Sequence, residues 1–161
     1  MPKGDDVILG LTTVETETCA AVVKANGEVL SQEKKIREGN LTQGNQYNQI
    51  LVEFQQENIQ GMVEQALNNS NMDPSLLNGI AVPLGPGNQN ANNVGIDFAI
   101  ALGNKFGVPV IPVSLLEAEV FAPRFLTEQK LLLKEKDVSY NSDRQHTTFP
   151  YLTICTTGQD T

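Results

Sequence analysis

The stretch Val22-Val23-Lys24-Ala25-Asn26-Gly27-Glu28-Val29-Leu30 decides how the fold begins. An Asn-Gly pair flanked by apolar runs is the strongest short signal for a β-hairpin, because both residues tolerate the positive φ angles of tight turns. Another apolar run, at residues 7–11, precedes this hairpin. The sequence therefore predicts three antiparallel strands, at residues 6–13, 18–25 and 28–35.

After the hairpin the apolar residues recur with the spacing of a helix. One stripe runs along residues 46–69, and we expect its members to face the core: Tyr47, Ile50, Leu51, Phe54, Ile59, Met62, Val63, Ala66 and Leu67. Outward positions of the same helix include Gln49, Glu53, Gln56 and Gln60. A second helix is predicted at 92–106, with four inward residues, Val94, Phe98, Ala101 and Leu102.

The remaining segments continue the alternation of strand and helix. Buried strands are predicted at 80–84, 108–113 and 151–156, a helical stretch at 115–126, and an exposed polar insertion at 127–147. Three antiparallel strands followed by alternating helices and strands form the ribonuclease-H-like pattern of each lobe in the actin and sugar-kinase superfamily. We predict an α/β fold: a single lobe whose mixed sheet has helices on both faces.

Composition excludes several classes of function. The chain has 161 residues, 40% apolar residues and a net charge of -8, which suits a folded domain and disfavours binding to a nucleic-acid backbone. No apolar run is long enough for a membrane span. Cys19 and Cys155 are interpreted as small buried side chains, and His146 as a solvated one. Asn and Gln are unusually frequent, at 15 and 12 residues.

Six blocks in order resemble the TsaD/Gcp-type tRNA adenosine threonylcarbamoyltransferases, including their mitochondrial-like branch. They are Ile8-Leu9-Gly10-Leu11, Asn26-Gly27-Glu28-Val29-Leu30 with Ser31-Gln32, Glu57-Asn58-Ile59-Gln60, Gly85-Pro86-Gly87 with Val94-Gly95, Val108–Val113, and Phe149-Pro150-Tyr151-Leu152. The resemblance implies that residues 1–148 form the family's first lobe and that 149–161 begin a truncated second lobe.

The positions that match the family's active-site motifs depart from them. The first loop, "ETSCDDT" in the family, corresponds here to the segment with Thr13, Glu15 and Glu17. The His-x-Glu-x-His metal motif corresponds to Leu115, Glu117 and Glu119, and leucine cannot ligate a metal. The "SGGHT" phosphate loop corresponds to the segment with Thr157, Gly158 and Asp160. We therefore expect no catalytic residue, no cofactor and no bound metal.

These departures favour a structural or scaffolding subunit of a larger complex. The resemblance implies pairing through the helices at 46–69 and 92–106, with a full-length TsaD-like paralogue or another large assembly as the partner. One alternative is an enzyme for tRNA threonylcarbamoyladenosine biosynthesis that a partner completes, with Glu119 and Asp160 as oxygen ligands for Mg²⁺. Another is a ligand-binding module that uses the Gly85-Pro86-Gly87-Asn88 loop. A mitochondrial and a cytoplasmic location are both compatible with the sequence.

Overall fold

The computed structural model describes residues 4–39 and 46–122. The chain divides into two units, residues 1–116 and 117–161. In chain order, the elements of the first unit are β1 (Val7–Thr13), β2 (Glu17–Lys24), β3 (Val29–Ile36), α1 (Tyr47–Asn69), a 3-10 turn (Pro74–Leu76), β4 (Gly79–Pro83), α2 (Gln89–Phe106) and β5 (Val110–Val113).

The five strands form one mixed sheet in the order β3-β2-β1-β4-β5. β1 pairs with β2, and β2 with β3, in antiparallel fashion, whereas β4 is parallel to both β1 and β5. The predicted hairpin is confirmed: Gly27 adopts a φ of 91° at its turn, and the side chain of Asn26 accepts a hydrogen bond from the main-chain nitrogen of Glu28 at 2.9 Å. The mixed sheet is thus the one predicted.

Both long helices lie on the same face of this sheet. Alternate residues of β1 and β2 point toward them and are buried, while the intervening residues are only half-buried. Side chains from both helices join the same core, whose most deeply buried members include Leu9, Val22, Ile80, Ala66 and Ala99. α1 and α2 therefore supply only one of the two predicted helical layers.

The helix α1 matches its predicted range, and five of the nine residues predicted to face inward are buried: Leu51, Ile59, Val63, Ala66 and Leu67. Ile50 is 38% exposed, and the buried position beside Leu51 and Ile59 is instead taken by Gln55. A spacing of four residues joins positions 51, 55 and 59 on one side of the helix. The polar residue therefore interrupts an apolar stripe that is continuous in space.

The helix α2 begins at Gln89, three residues before the predicted start at 92. The side chain of Asn88 caps it, because its Oδ1 accepts hydrogen bonds from the main-chain nitrogens of Asn90 and Ala91 at 3.0 and 3.2 Å. The residues of α2 that are fully buried are small or polar: Ala91, Asn92, Gly95, Ala99 and Gly103.

Of the residues predicted to point inward on α2, Val94, Phe98 and Leu102 are partly buried against the core, and Ala101 is exposed. The side of α2 that was predicted to face the core therefore points partly away from the sheet.

The helical stretch predicted at 115–126 is described from 115 to 122 and is helical there. The insertion at 127–147, the strand at 151–156 and the boundary at 148/149 lie outside the described residues. None of the helices in the described part is long and apolar enough to cross a membrane.

Candidate functional site

The β1–β2 turn, residues 14–16, lies within the segment 12–18 that resembles the family's first active-site loop. The main-chain nitrogen of Val14 donates to the carbonyl oxygen of Glu17 at 3.0 Å and closes the turn. Three elements surround this turn: β1 and β2, which it joins, and α1, which supplies the side chain of Gln55.

Gln55 binds the turn through both the nitrogen and the oxygen of its side-chain amide. Its Nε2 donates to the carbonyl oxygens of Val14 and Glu17, the latter at 3.3 Å, and its Oε1 accepts from the hydroxyl of Thr18. Gln55 and Thr18 are both 0% exposed. Because a buried amide is tolerated only when it is hydrogen-bonded, this network fixes how α1 and the hairpin fit together.

Thr13 connects β1 to α2 through a hydrogen bond. Its buried hydroxyl donates to the main-chain oxygen of Ala91 at 2.8 Å. Gly95 permits this approach, because a Cβ at that position would lie 2.5 Å from the Thr13 Oγ1. The hydroxyl that sequence comparison matches to the family's ligand-facing loop thus has a structural partner.

Glu15 and Glu17 lie at the same turn but have different neighbours. The exposed Glu15 accepts a hydrogen bond from the Tyr47 hydroxyl at 2.8 Å, and this bond raises the pKa of Tyr47. The carboxylate of Glu17 lies 3.7 Å from the Lys34 Nζ. The structure therefore places Thr13, Glu15 and Glu17 in or next to the β1–β2 turn, but the two carboxylates do not form one site.

The segment that corresponds to the family's metal motif has an unsuitable set of donors. Leu115 has no ligating atom, and its main-chain nitrogen donates to the oxygen of Gly85 at 2.8 Å. Glu117 and Glu119 are exposed. The described residues contain no group of three or more His, Cys, Asp or Glu side chains that could hold a metal ion. Leu115, Glu117 and Glu119 therefore do not reproduce the donor set of the family's metal motif.

The Gly85-Pro86-Gly87-Asn88 loop, called the GPG loop below, joins β4 to α2. Asn88 caps α2 through its Oδ1, and its Nδ2 donates to Asn48 Oδ1 at the start of α1, at 3.0 Å. The loop thus ties the beginnings of the two helices together. The remaining predicted positions, Thr157, Gly158 and Asp160, lie outside the described residues, as do His146 and Cys155.

Cys19 follows Thr18 on β2 and is half-buried. Burial and the neighbouring Glu17 carboxylate raise the pKa of its thiol to about 11. Both act in the same direction, because each disfavours the negatively charged thiolate.

We expect Cys19 to be a slow nucleophile, since thiolate is the reactive form. In a Cys155→Ser chain at mildly alkaline pH, alkylation by iodoacetamide should be about 10- to 100-fold slower in the folded protein than in concentrated urea, as measured by mass spectrometry. Equal rates in the two states would contradict the raised pKa.

The sequence also matches a protein-family model described as TsaD: tRNA N6-adenosine threonylcarbamoyltransferase, over residues 51–134. This match includes α1 from Leu51 onward, the GPG loop, α2 and the segment with Leu115, Glu117 and Glu119. The chain belongs to the TsaD family.

TsaD-family relatives match over much of this chain. The rat protein named tRNA N6-adenosine threonylcarbamoyltransferase, mitochondrial, is 35% identical over 73% of this chain and 29% of its own length. A probable mitochondrial counterpart from Arabidopsis thaliana is also 35% identical, over 81% of this chain and 28% of its own. The Ligilactobacillus salivarius enzyme is 31% identical, over 81% and 38%. The chain thus spans only 28–38% of the length of these relatives.

Solved structures agree on the fold of this TsaD-family chain. YeaZ from Pseudomonas aeruginosa has a TM-score of 0.53 at 18% identity and covers 68% of this chain and 45% of its own. A protein described as similar to peptidase YeaZ, also from P. aeruginosa, has a TM-score of 0.55 at 20% identity, over 78% and 50%. The prediction of a single ribonuclease-H-like lobe with a mixed sheet is confirmed.

Sequence reasoning missed the polar residues that connect these loops to the core of the TsaD-family lobe. Gln55 and Asn92 are buried, yet neither belongs to a motif, and the buried Thr18 only ends the segment that resembles the family's first loop. The only signal for Gln55 was its place one turn from Leu51 and Ile59 on an otherwise apolar stripe. A buried polar residue at such a position needs partners, and these are found only in the folded protein.

Proposed function

We propose that this TsaD-family chain is a non-catalytic subunit that binds a full-length TsaD-like protein through α1 and α2. The homologues associate the family with tRNA threonylcarbamoyladenosine biosynthesis. The scaffolding role in that process is our proposal. A mitochondrial or cytoplasmic location stays a prediction, because relatives named as mitochondrial and bacterial relatives both match the chain.

The observation that carries the proposal is a groove lined by α1, α2 and the 3-10 turn. It has a volume of about 310 Å³, and ten residues line it: Gln60, Val63, Glu64, Leu67, Pro74, Phe98, Ala101, Leu102, Lys105 and Phe106. Seven of them are apolar, and one acid and one base lie among the others. An apolar centre with a polar edge is the usual composition of a protein interface.

The state of the family's reactive positions also supports a non-catalytic role. The Thr13 hydroxyl is used within the fold, and Leu115 stands where the family has a metal-ligating histidine. Altered active-site positions together with preserved helices are typical of a subunit that is retained because it binds another protein.

We propose that the partner bound at this groove is a full-length TsaD-like protein, because the resemblance implies pairing within the family through these helices. The exposed helix surface is rich in amides, for example Gln49, Gln56 and Gln60. Neutral amides suit a surface that becomes buried, since removing a charge from water costs more. A standard interface buries about 800 Å² per partner, which two helices of this length can supply.

We expect Glu53→Arg with Gln60→Arg to abolish association. Both side chains are exposed on α1, and Gln60 lines the groove, so two arginines would place long, charged side chains in the interface. The measurement is co-purification of the tagged chain from its native cell, with the TsaD-like protein quantified by mass spectrometry and folding checked by circular dichroism.

The matched control is Gln32→Arg with Glu38→Arg, which changes the net charge equally at exposed positions away from the two helices. It should leave association intact. Recovery of only a second copy, or of an unrelated assembly, would refute the chosen partner. If Glu119→Gln in the purified complex abolished threonylcarbamoyl transfer, the alternative of a partner-completed enzyme would replace our proposal.

A further inference from the structure

The side-chain amide of Asn92 is buried without a partner. Asn92 is only 2% exposed, and its Nδ2 has no hydrogen-bond partner in the described structure. Its main-chain nitrogen, by contrast, donates to the oxygen of Asn88 at 3.0 Å within α2. Unsatisfied buried donors are rare in folded proteins, so this one requires an explanation.

The unpaired amide is directed at the GPG loop. A Cβ on Gly87 would lie 3.4 Å from Asn92 Nδ2, and a Cβ on Gly85 would lie 4.0 Å from the same atom. Among the described residues, apart from Asn92 and the immediate chain neighbours, no atom lies within 4 Å of either position. The two glycines, each with a φ of 136°, thus place no side chain against this donor.

The electrostatics around this donor favour a negative group. The donor adjoins the first turn of α2, an 18-residue helix whose amino-terminal end carries partial positive charge. No charged residue occurs from Leu84 to Ile96. Amide donors and a helix amino terminus attract acceptor oxygens.

We propose that the GPG loop and the first turn of α2 bind a small oxyanion, either a phosphate or a carboxylate, with Asn92 Nδ2 donating a hydrogen bond to one of its oxygens. The loop covers the amide, so the ligand oxygen reaches it when the loop shifts, and the glycines place no side chain in its path. The site is independent of the groove between α1 and α2 and goes beyond the proposed scaffolding role.

The test is a titration of the ¹⁵N-labelled full chain, followed by NMR, with inorganic phosphate in one arm and acetate in another at constant ionic strength. We expect saturable shifts at the Asn92 side-chain amide and at the Gly87 main-chain amide. Shifts with phosphate alone assign a phosphate site, and shifts with acetate alone assign a carboxylate site.

Asn92→Leu removes the donor at similar volume and should weaken binding at least tenfold. The matched control is Asn93→Leu, at the neighbouring exposed position, which should bind as the unmodified chain does. Absence of shifts in the unmodified chain, equal shifts with chloride, or unchanged binding by a folded Asn92→Leu chain would each overturn the proposal. Association with a protein partner should be the same in all these chains, which separates this test from that of the scaffolding role.

Discussion

Replacing Gln55 with leucine is expected to lower the free energy of unfolding by about 3 kcal/mol. The change leaves the fully buried Thr18 hydroxyl without its acceptor and the Val14 carbonyl oxygen without its donor. Leucine and glutamine have similar helix propensities, so α1 itself should not be weakened. The measurement is equilibrium unfolding in urea, where the midpoint should fall while the slope stays the same.

Gln56→Leu is the control, because Gln56 is the exposed neighbour on the same helix. It should change stability by less than about 0.5 kcal/mol. Adding Thr18→Val to Gln55→Leu should cost less than the two single changes together, since both polar partners are then gone. If Gln55→Leu were as mild as Gln56→Leu, the amide would not be what holds the β1–β2 turn on α1.

The same glutamine shows why the sequence predicted the elements more successfully than the details of their packing. The hairpin at Asn26-Gly27 and the long helix α1 follow from local patterns, so they were predicted within one or two residues. The choice between Ile50 and Gln55 as the inward residue depends on partners from β1 and β2. Apolar periodicity predicts that Ile50 faces inward, whereas the hydrogen bonds with the β1–β2 turn and Thr18 hold Gln55 there instead.

The inward face of α2 was misjudged for a related reason. Hydrophobicity favoured Val94, Phe98 and Leu102, but the residues closest to the sheet are small, Gly95 and Gly103 among them. Small residues contribute little to an apolar pattern, yet they allow a helix backbone to approach a strand closely. That requirement appears only once the neighbouring strand is in place.

The places of the β1–β2 turn and the GPG loop in the fold were predictable, but their hydrogen bonds were not. The family resemblance located the β1–β2 turn and the GPG loop, and both lie where expected relative to their strands and helices. Their hydrogen bonds could not be foreseen, because the partner of Thr13 lies 78 positions away at Ala91. The unpaired Asn92 amide likewise depends on how the glycine loop passes over α2.

Gly95→Ala is expected to destabilise the protein by about 2 kcal/mol, although alanine is the better helix former by about 1 kcal/mol. The added methyl would lie 2.5 Å from Thr13 Oγ1 and 3.3 Å from its Cγ2, so β1 and α2 must move apart. Thr13→Ala removes both atoms and leaves a Cβ at 3.5 Å, which is ordinary contact. In that background Gly95→Ala should become neutral or stabilising, as thermal and urea unfolding would show.

Two other glycines in helices test whether close contact is the cause. In the part of the chain that the structure describes, no atom lies within 4 Å of a Cβ built on Gly61 of α1, so Gly61→Ala should stabilise the protein by about 0.5–1 kcal/mol. A Cβ on Gly103 would meet the main-chain oxygen of Val108 at 2.7 Å. Gly103→Ala should therefore lower the stability of the protein whether Thr13 is present or replaced by alanine. If Gly95→Ala behaved like Gly61→Ala, or if Thr13→Ala failed to relieve it, Thr13 would not be the residue that sets the distance between β1 and α2.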